Sequence, residues 1–127
     1  MGCDFLDLNF RLEKKLGIRL GRGWMPVPAS AEELTVGYME NSVIAVYRQQ
    51  HAETDRGIWT NDECECAGCH LLLENVPIPG FCRRCGTPVT LEQYVAAVFR
   101  VVLSEVLAVP LTKIYSEAKL IRDLGMS

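Results

Sequence analysis

The sequence lacks the long apolar runs and the basic excess that would bring it to a membrane or to nucleic acid. No stretch approaches the ~18 uninterrupted apolar residues of a membrane-spanning helix. The N-terminal stretch also lacks the basic region before an apolar core that a secretion signal has. The formal net charge is −3, so the chain as a whole does not attract anionic polymers or lipids. We therefore expect a cytoplasmic protein that does not bind membranes, and nucleic acid is not an expected partner.

Histidine is scarce, and the residues that catalysis most often uses are not grouped. The two histidines, His51 and His70, lie beside no evident nucleophile or acid pair. The glycines at positions 21 and 23 lack the strand and helix that surround a phosphate-binding loop. The sequence therefore predicts a protein that is not an enzyme.

Cysteine, in contrast, is concentrated in one segment. Five of the six cysteines fall between residues 64 and 85, and two C-x2-C pairs are separated by twelve residues. In a chain without a secretion signal, such pairs indicate metal ligands before disulfides. Four thiolates complete a tetrahedral shell around Zn²⁺. The sequence therefore predicts a structural zinc site formed by Cys66, Cys69, Cys82 and Cys85.

Several alternatives to this ligand set remain open. Cys64 offers a second pairing with Cys66, although a C-x-C step cannot make the same turn, so Cys64 is interpreted as a spare thiol. His70 could replace a cysteine, iron could occupy a four-thiolate site, and disulfides are the remaining alternative. Gly86 suits the left-handed step that follows a C-x2-C turn. The apolar residues between the two pairs suit two short strands and a turn, which together predict a zinc ribbon.

Helical patterns lie on both sides of the cysteine segment. Apolar residues at i+3 and i+4 spacing predict a first helix over 4–16 and a second from Val36 to about Gln50, with Thr35 as its N-cap. The capping box Thr90-Leu-Glu-Gln93 begins a third apolar stripe, over 91–107. Seventeen residues without a breaker are too many for a typical strand, so this stripe is also predicted to be a helix.

These flanking stretches resemble acyl carrier proteins. Residues 1–20, MGCDFLDLNFRLEKKLGIRL, are similar to the family's second helix, which begins with G-x-D-S-L-D and is followed by F-G-I. Residues 34–39, LTVGYM, resemble the entry to its fourth helix. Residues 94–125 resemble its first helix and the following loop, whose pattern ends in A-x-F-x-x-D-L-G. The family's last three helices therefore come first in this chain, which indicates a circular permutation.

The resemblance implies a mainly α fold, an acyl-carrier-like four-helix bundle in permuted order with a small β-hairpin zinc ribbon inserted between the two halves. Residues 1–54 would form the family's helices two to four, residues 60–89 the ribbon, and residues 90–127 helix one and its loop, packed against 1–54. Exchange of the halves between chains, which gives a domain-swapped homodimer, is the alternative.

The resemblance also bears on function. In the family, the serine of G-x-D-S-L-D carries phosphopantetheine, but Phe5 occupies that position here and has no hydroxyl. Ser127 lies one position early in the repeat of this motif at the other end of the chain. We therefore expect a docking or scaffold module without a covalent prosthetic group. In the family, the second helix meets partner enzymes, and this implies docking residues and protein partners in acyl or peptidyl metabolism. The implied docking residues are Asp4, Asp7, Arg11 and Lys14.

Two other functions remain open at this point. A working carrier would need phosphopantetheine on Ser127 or a serine in an extension of the chain. Alternatively, the ribbon itself could bind nucleic acid or protein through Arg83 and Arg84, although Glu63, Glu65 and Glu74 surround these two cations.

Overall fold

The structure is a computed structural model. Among the residues that it describes, three α-helices dominate, and four two-residue strands lie between the second and third helices. The structure describes residues 3–21, 34–51, 58–59, 64–66, 68–78 and 80–125. The elements are α1 (Cys3–Leu16), α2 (Val36–His51), β1 (Ile58–Trp59), β2 (Pro77–Ile78), β3 (Gly80–Phe81), β4 (Pro88–Val89), α3 (Leu91–Leu107) and a short 3₁₀ helix (Leu111–Lys113). This confirms the mainly α prediction. Residues 30–33, Ser-Ala-Glu-Glu, have a capping-box pattern that predicts the start of a short turn of helix, and they lie outside the described residues.

Local signals mark the end of α1 and the starts of α2 and α3. Gly17 follows α1 with a φ of +65°, which a residue without Cβ adopts at low cost. The Thr35 hydroxyl accepts a hydrogen bond of 3.2 Å from the Tyr38 N–H at the start of α2. At the start of α3, Thr90 and Gln93 form the predicted capping box, in which each side chain accepts a bond from the other residue's N–H. Each cap satisfies backbone groups that would otherwise lack a partner at the helix terminus.

The hydrophobic core forms where α3 packs against both α1 and α2. Burial follows the predicted helical spacing, because each helix directs one apolar stripe inwards. Residues of the cysteine segment belong to the same buried cluster as the helices, so the ribbon and the helices share one core. The most buried side chains of the helices include Leu8, Leu12, Met39, Val43, Val95, Val98, Phe99 and Leu103, and those of the ribbon include Leu73, Val76 and Val89.

The segment after α3 returns to the start of α2. The Val36 N–H donates to the Ala118 carbonyl at 2.9 Å, and the Leu120 N–H donates to the Leu34 carbonyl at 2.9 Å. The side chains of Ala118 and Leu120 are fully buried. The C-terminal part of the chain is therefore tied to the N-terminal part by backbone hydrogen bonds as well as by the packing of α3.

A partly buried ion pair reinforces this junction. Arg100 Nε, on α3, donates to Glu40 Oε2, on α2, at 2.7 Å. The same guanidinium donates to the Ser116 hydroxyl at 3.1 Å and to the Ile114 carbonyl at 3.4 Å. Because Glu40 is only 9% exposed, water stabilises its negative charge little, and the Arg100 guanidinium takes over that role. Arg100 thus joins α2, α3 and the C-terminal segment at one point.

No helix among the described residues is both long enough and apolar enough to cross a membrane.

Candidate metal centre

Each of the two C-x2-C pairs closes its own small hairpin. The Cys66 N–H donates to the Leu71 carbonyl at 2.8 Å, and the Cys82 N–H donates to the Thr87 carbonyl at 2.9 Å. The residue that follows each pair, His70 or Gly86, has a positive φ, of 62° and 76° respectively. The two turns are therefore built in the same way, and the left-handed step predicted at Gly86 is present in both.

The strands pair differently from the sequence-based prediction. That prediction placed two short strands and a turn between the cysteine pairs, and β2 and β3 do lie there. However, β2 pairs with β1, which precedes the first cysteine pair, and β3 pairs with β4, which follows the second. Because each C-x2-C turn brings its own flanking residues together, the strands pair across the turns and not across the twelve-residue interval.

The two turns bring four sulfur atoms together. Cys66 Sγ lies 3.5 Å from Cys85 Sγ, and Cys69 Sγ lies 3.6 Å from Cys82 Sγ. All four ligand atoms lie within 4.8 Å of one another. A tetrahedral zinc site with Zn–S bonds of about 2.3 Å has S–S edges of about 3.8 Å. The four cysteines therefore lie close enough together to bind one metal ion, and they are the four that the sequence predicts.

Backbone amides of the first turn point at the Cys66 sulfur. The N–H groups of Gly68 and Cys69 donate to it, with nitrogen–sulfur distances of 3.3 and 3.5 Å. The Cys69 bond first, and then the Gly68 bond, lower the pKa of the Cys66 thiol to about 6. The thiolate, which is the form that binds metal, is thus favoured at neutral pH.

The sulfur atoms of the second turn also have polar groups close to them. The Arg84 N–H donates to Cys82 Sγ at 3.4 Å, and the Thr87 hydroxyl oxygen lies 2.9 Å from Cys85 Sγ. The hydrogen bond from the Thr87 side chain is the main cause that lowers the pKa of Cys85. Such contacts orient metal ligands and stabilise their charge, so Thr87 supports the site without being a ligand itself.

The two alternative ligands stay outside the group. Cys64 is 1% exposed, and burial, with a contribution from Cys66, raises the pKa of its thiol to about 11. It therefore remains a neutral, packed thiol. The exposed His70 side chain does not belong to the sulfur group, and its Nδ1 lies 3.4 Å from Glu65 Oε1. The interpretation of Cys64 as a spare thiol therefore agrees with its place in the core.

Gly68 allows the two turns to approach each other. A Cβ at this position would lie 2.5 Å from the Thr87 hydroxyl oxygen and 3.4 Å from Cys85 Sγ. We expect Gly68→Ala to displace Thr87 from Cys85 and to weaken metal binding by about tenfold to a hundredfold, the usual effect of losing an outer-shell contact. Competition with a chromophoric chelator measures this affinity.

Two variants control this experiment. A Cβ at Gly21 would have no neighbour within 4 Å, so Gly21→Ala should leave metal affinity unchanged. In a Thr87→Ala background the clash with the hydroxyl is absent, so Gly68→Ala should then have a smaller effect. An unchanged affinity for Gly68→Ala in the otherwise intact chain would contradict the contact.

The residues expected at a docking surface lie on α1, but two of them are bound to each other. Arg11 Nε donates to Asp7 Oδ1 at 2.9 Å, and Arg11 also contacts Glu105 of α3, as does Lys15. The two contacts with Glu105 attach α1 to α3. Lys14, in contrast, is exposed and makes no ion pair within the described part of the chain. Glu105 is a contact residue that the sequence did not reveal, because it lies 94 positions from Arg11.

Two exposed apolar residues lie on α1 beside the residues expected at the docking surface. Leu6 and Phe10 are each 66% exposed on α1. Asp4 lies half-buried in the first turn of the helix. Phe5 belongs to the backbone of the same turn, but its side chain and Ser127 lie outside the parts of the chain that the structure describes.

Comparison with known proteins finds no matching family model, no matching curated protein and no matching solved structure. The residues of the chain itself therefore carry the functional interpretation.

Proposed function

We propose that the chain is an acyl-carrier-like docking module in permuted order, clamped by a zinc-binding ribbon and without a covalent prosthetic group. The observation that carries this proposal is the packing of α3 against both α1 and α2 of its own chain. In the proposed correspondence α3 is the family's first helix, α1 its second and α2 its fourth. A permuted carrier needs that contact, because its first helix must return to the helices that now precede it.

The segment after α3 also supports this correspondence. In the family, the loop after the first helix runs along the bundle to the second helix. Here that segment forms an antiparallel bridge between Thr35 and Lys119 and buries Ile114, Ala118 and Leu120. It therefore behaves as part of the helical unit, as the proposal requires.

The ribbon would serve as the connection that makes the permuted order workable. It lies between α2 and α3, the two helices whose joined ends are chain termini in the usual family order. Its strands have two residues each, too few to hold a sheet together alone. We propose that Zn²⁺, bound by the four thiolates, supplies the missing stability. With four protein ligands the metal has no open position for a substrate, which favours a structural role.

The docking role rests on the missing hydroxyl and on α1. Phe5 stands where the family's attachment serine would be, and a phenyl ring cannot form a phosphodiester. The outward face of α1 would remain available for proteins, through Leu6, Phe10 and Lys14 with Asp7 beside them. Enzymes of acyl or peptidyl metabolism are the partners that the family resemblance suggests.

Incubation with coenzyme A and a phosphopantetheinyl transferase tests this function. We expect the intact mass of the protein to stay unchanged, because no serine is in register on α1. The variant Phe5→Ser restores the hydroxyl, and we expect it to gain one phosphopantetheine if α1 has the shape of the family's second helix.

The unmodified chain and the Phe5→Ser variant test different parts of the proposal. A mass gain on the unmodified chain would contradict the absence of a prosthetic group and would support a working carrier. Failure of Phe5→Ser to be modified, with its helical circular dichroism intact, would count against the carrier-like correspondence.

A further inference from the structure

The outward face of α1 has a regular stripe of exposed side chains. Leu6, Phe10 and Lys14 follow one another at i+4 spacing and are all exposed, while the opposite face of the helix is buried in the core. At 3.6 residues per turn, residues four apart lie almost directly above one another. The stripe therefore presents an aliphatic group, an aromatic ring and a cation in a line, with Phe10 at its centre.

The charges beside the stripe are divided between the two ends of the helix. Arg11 and Lys15 are directed to Glu105 on α3, which leaves Lys14 as the exposed cation of the outward face. Asp7 lies next to the stripe near Leu6. Its Oδ1 accepts from Arg11, while its Oδ2 accepts no hydrogen bond from the described residues. The face thus carries an acid towards one end and a base towards the other.

We infer that this face pairs in antiparallel orientation with the same face of a second copy of the chain. The inference rests on the proposed docking role of α1 and names its partner. A two-fold axis through Phe10 brings the two Phe10 rings together and places Leu6 against the methylene stem of Lys14 from the second copy. The Lys14 ammonium then lies beside the Asp7 carboxylate of the second copy. Glu13 lies on the other flank of the helix, away from that carboxylate.

This arrangement satisfies the symmetry of an isologous dimer, in which each contact occurs twice. The two Lys14–Asp7 pairs lie on either side of the Phe10 contact, so the apolar centre has a charged rim. A second exposed phenylalanine, Phe81 on the ribbon, is 67% exposed but is followed by Arg83 and Arg84, two exposed charges of one sign. The α1 face, in contrast, carries one exposed cation and one acid in positions where two antiparallel copies can pair Lys14 with Asp7.

The dimer is expected to be weak. A contact between two helices of 14 residues buries less than the roughly 1,200 Å² of a stable interface. We therefore expect a dissociation constant between about 10 µM and about 1 mM. A weak dimer leaves the α1 face accessible to other proteins at low concentration.

Sedimentation equilibrium of the metal-loaded full chain, over about 10 µM to about 1 mM, tests the pairing. We expect reversible dimer formation for the unmodified chain and at least a tenfold weaker association for Phe10→Glu. Phe81→Glu is the matched control, since it changes the same residue type at the same exposure, and it should associate normally. A chain that stays monomeric at about 1 mM, or dimers that are lost in Phe81→Glu and kept in Phe10→Glu, would overturn the inference.

A zero-length carbodiimide cross-link tests the orientation. Asp7 and Lys14 of one helix are separated by a rise of about 10.5 Å, so an amide between them is expected only between chains. In a mixture of ¹⁵N-labelled and unlabelled protein, Asp7–Lys14 cross-links with one labelled and one unlabelled partner should therefore appear beside the two uniform forms, whereas a cross-link within one chain would give only the uniform forms. Lys14→Glu should weaken association, and Asp7→Lys added to it should restore association.

The outcomes here are separate from those of the prosthetic-group experiment. A dimer without the Asp7–Lys14 cross-link, or one that Lys14→Glu does not weaken, would overturn the antiparallel pairing. Neither result alters the mass change expected for Phe5→Ser. Conversely, phosphopantetheine on the unmodified chain would overturn the proposed function, but sedimentation equilibrium would still show whether the chain forms a dimer.

Discussion

Replacing Cys82 with serine is expected to abolish metal binding and to unfold the ribbon. The four sulfurs lie within 4.8 Å of one another, so removal of one leaves three ligands and an open position. Structural zinc contributes apparent free energies of about 10–16 kcal/mol in small cysteine-containing domains, and most of that contribution would be lost. Metal analysis should fall from one ion per chain to none, and the unfolding temperature should fall with it.

A second cysteine substitution controls this result. Cys64 is buried as deeply as Cys82 but lies outside the sulfur group. Cys64→Ser should therefore keep one metal ion per chain, although it places a hydroxyl in an apolar site and lowers stability by roughly 1–3 kcal/mol. A full metal content in Cys82→Ser, or its loss in Cys64→Ser, would contradict the assigned ligand set.

Replacing Arg100 with alanine is expected to lower the free energy of unfolding by about 2–4 kcal/mol. The substitution leaves the Glu40 carboxylate buried without its guanidinium, and loss of one partner from a buried pair typically costs about 3–5 kcal/mol. The expected value is somewhat smaller because the Arg100 side chain is one-third exposed. The bonds to Ile114 and Ser116 are lost at the same time. Urea unfolding of the metal-loaded protein, followed by circular dichroism, measures the change.

Two further variants show whether the unpaired charge is the cause. Removing both charges, in Glu40→Leu with Arg100→Met, should recover much of the lost stability, because no ion is then left in the core. Arg48, whose ion pair with Glu92 is exposed, provides the comparison, and Arg48→Ala should cost less than about 1 kcal/mol. Equal losses for Arg100→Ala and the double variant would show that the buried charge is not what destabilises the single variant.

The helices could be predicted because their signals are local. The helix predicted over 91–107 has those bounds in the structure, and the second extends one residue beyond the prediction, to His51. Thr35, Thr90 and Gly17 act on backbone groups within four residues of themselves, so a short window of sequence contains the whole interaction. The cysteine group was predictable for the same reason, since a C-x2-C turn fixes two sulfurs locally and only the meeting of the two turns is long-range.

The contacts that could not be predicted from the sequence join residues that are far apart in the chain. Glu40 and Arg100 are 60 positions apart, and each resembles an ordinary surface charge until the helices pack. Arg11 bonds to Asp7 on its own helix, and its second partner, Glu105 on α3, lies 94 positions away in the sequence. The strand pairing also depended on which segments the two cysteine turns bring together. Periodicity identifies strands of this length poorly and does not reveal their partners.

The four-thiolate metal centre is tested most directly by the intact mass of the purified protein, measured under native and non-reducing conditions. We predict a mass that corresponds to the chain with one bound zinc ion, and release of that ion by a strong chelator with loss of the ribbon fold. A mass lower by four hydrogens, with no metal, together with peptide mapping that places both bonds among Cys66, Cys69, Cys82 and Cys85, would show two disulfides in place of the metal. That result would contradict the metal centre and the role proposed for the ribbon.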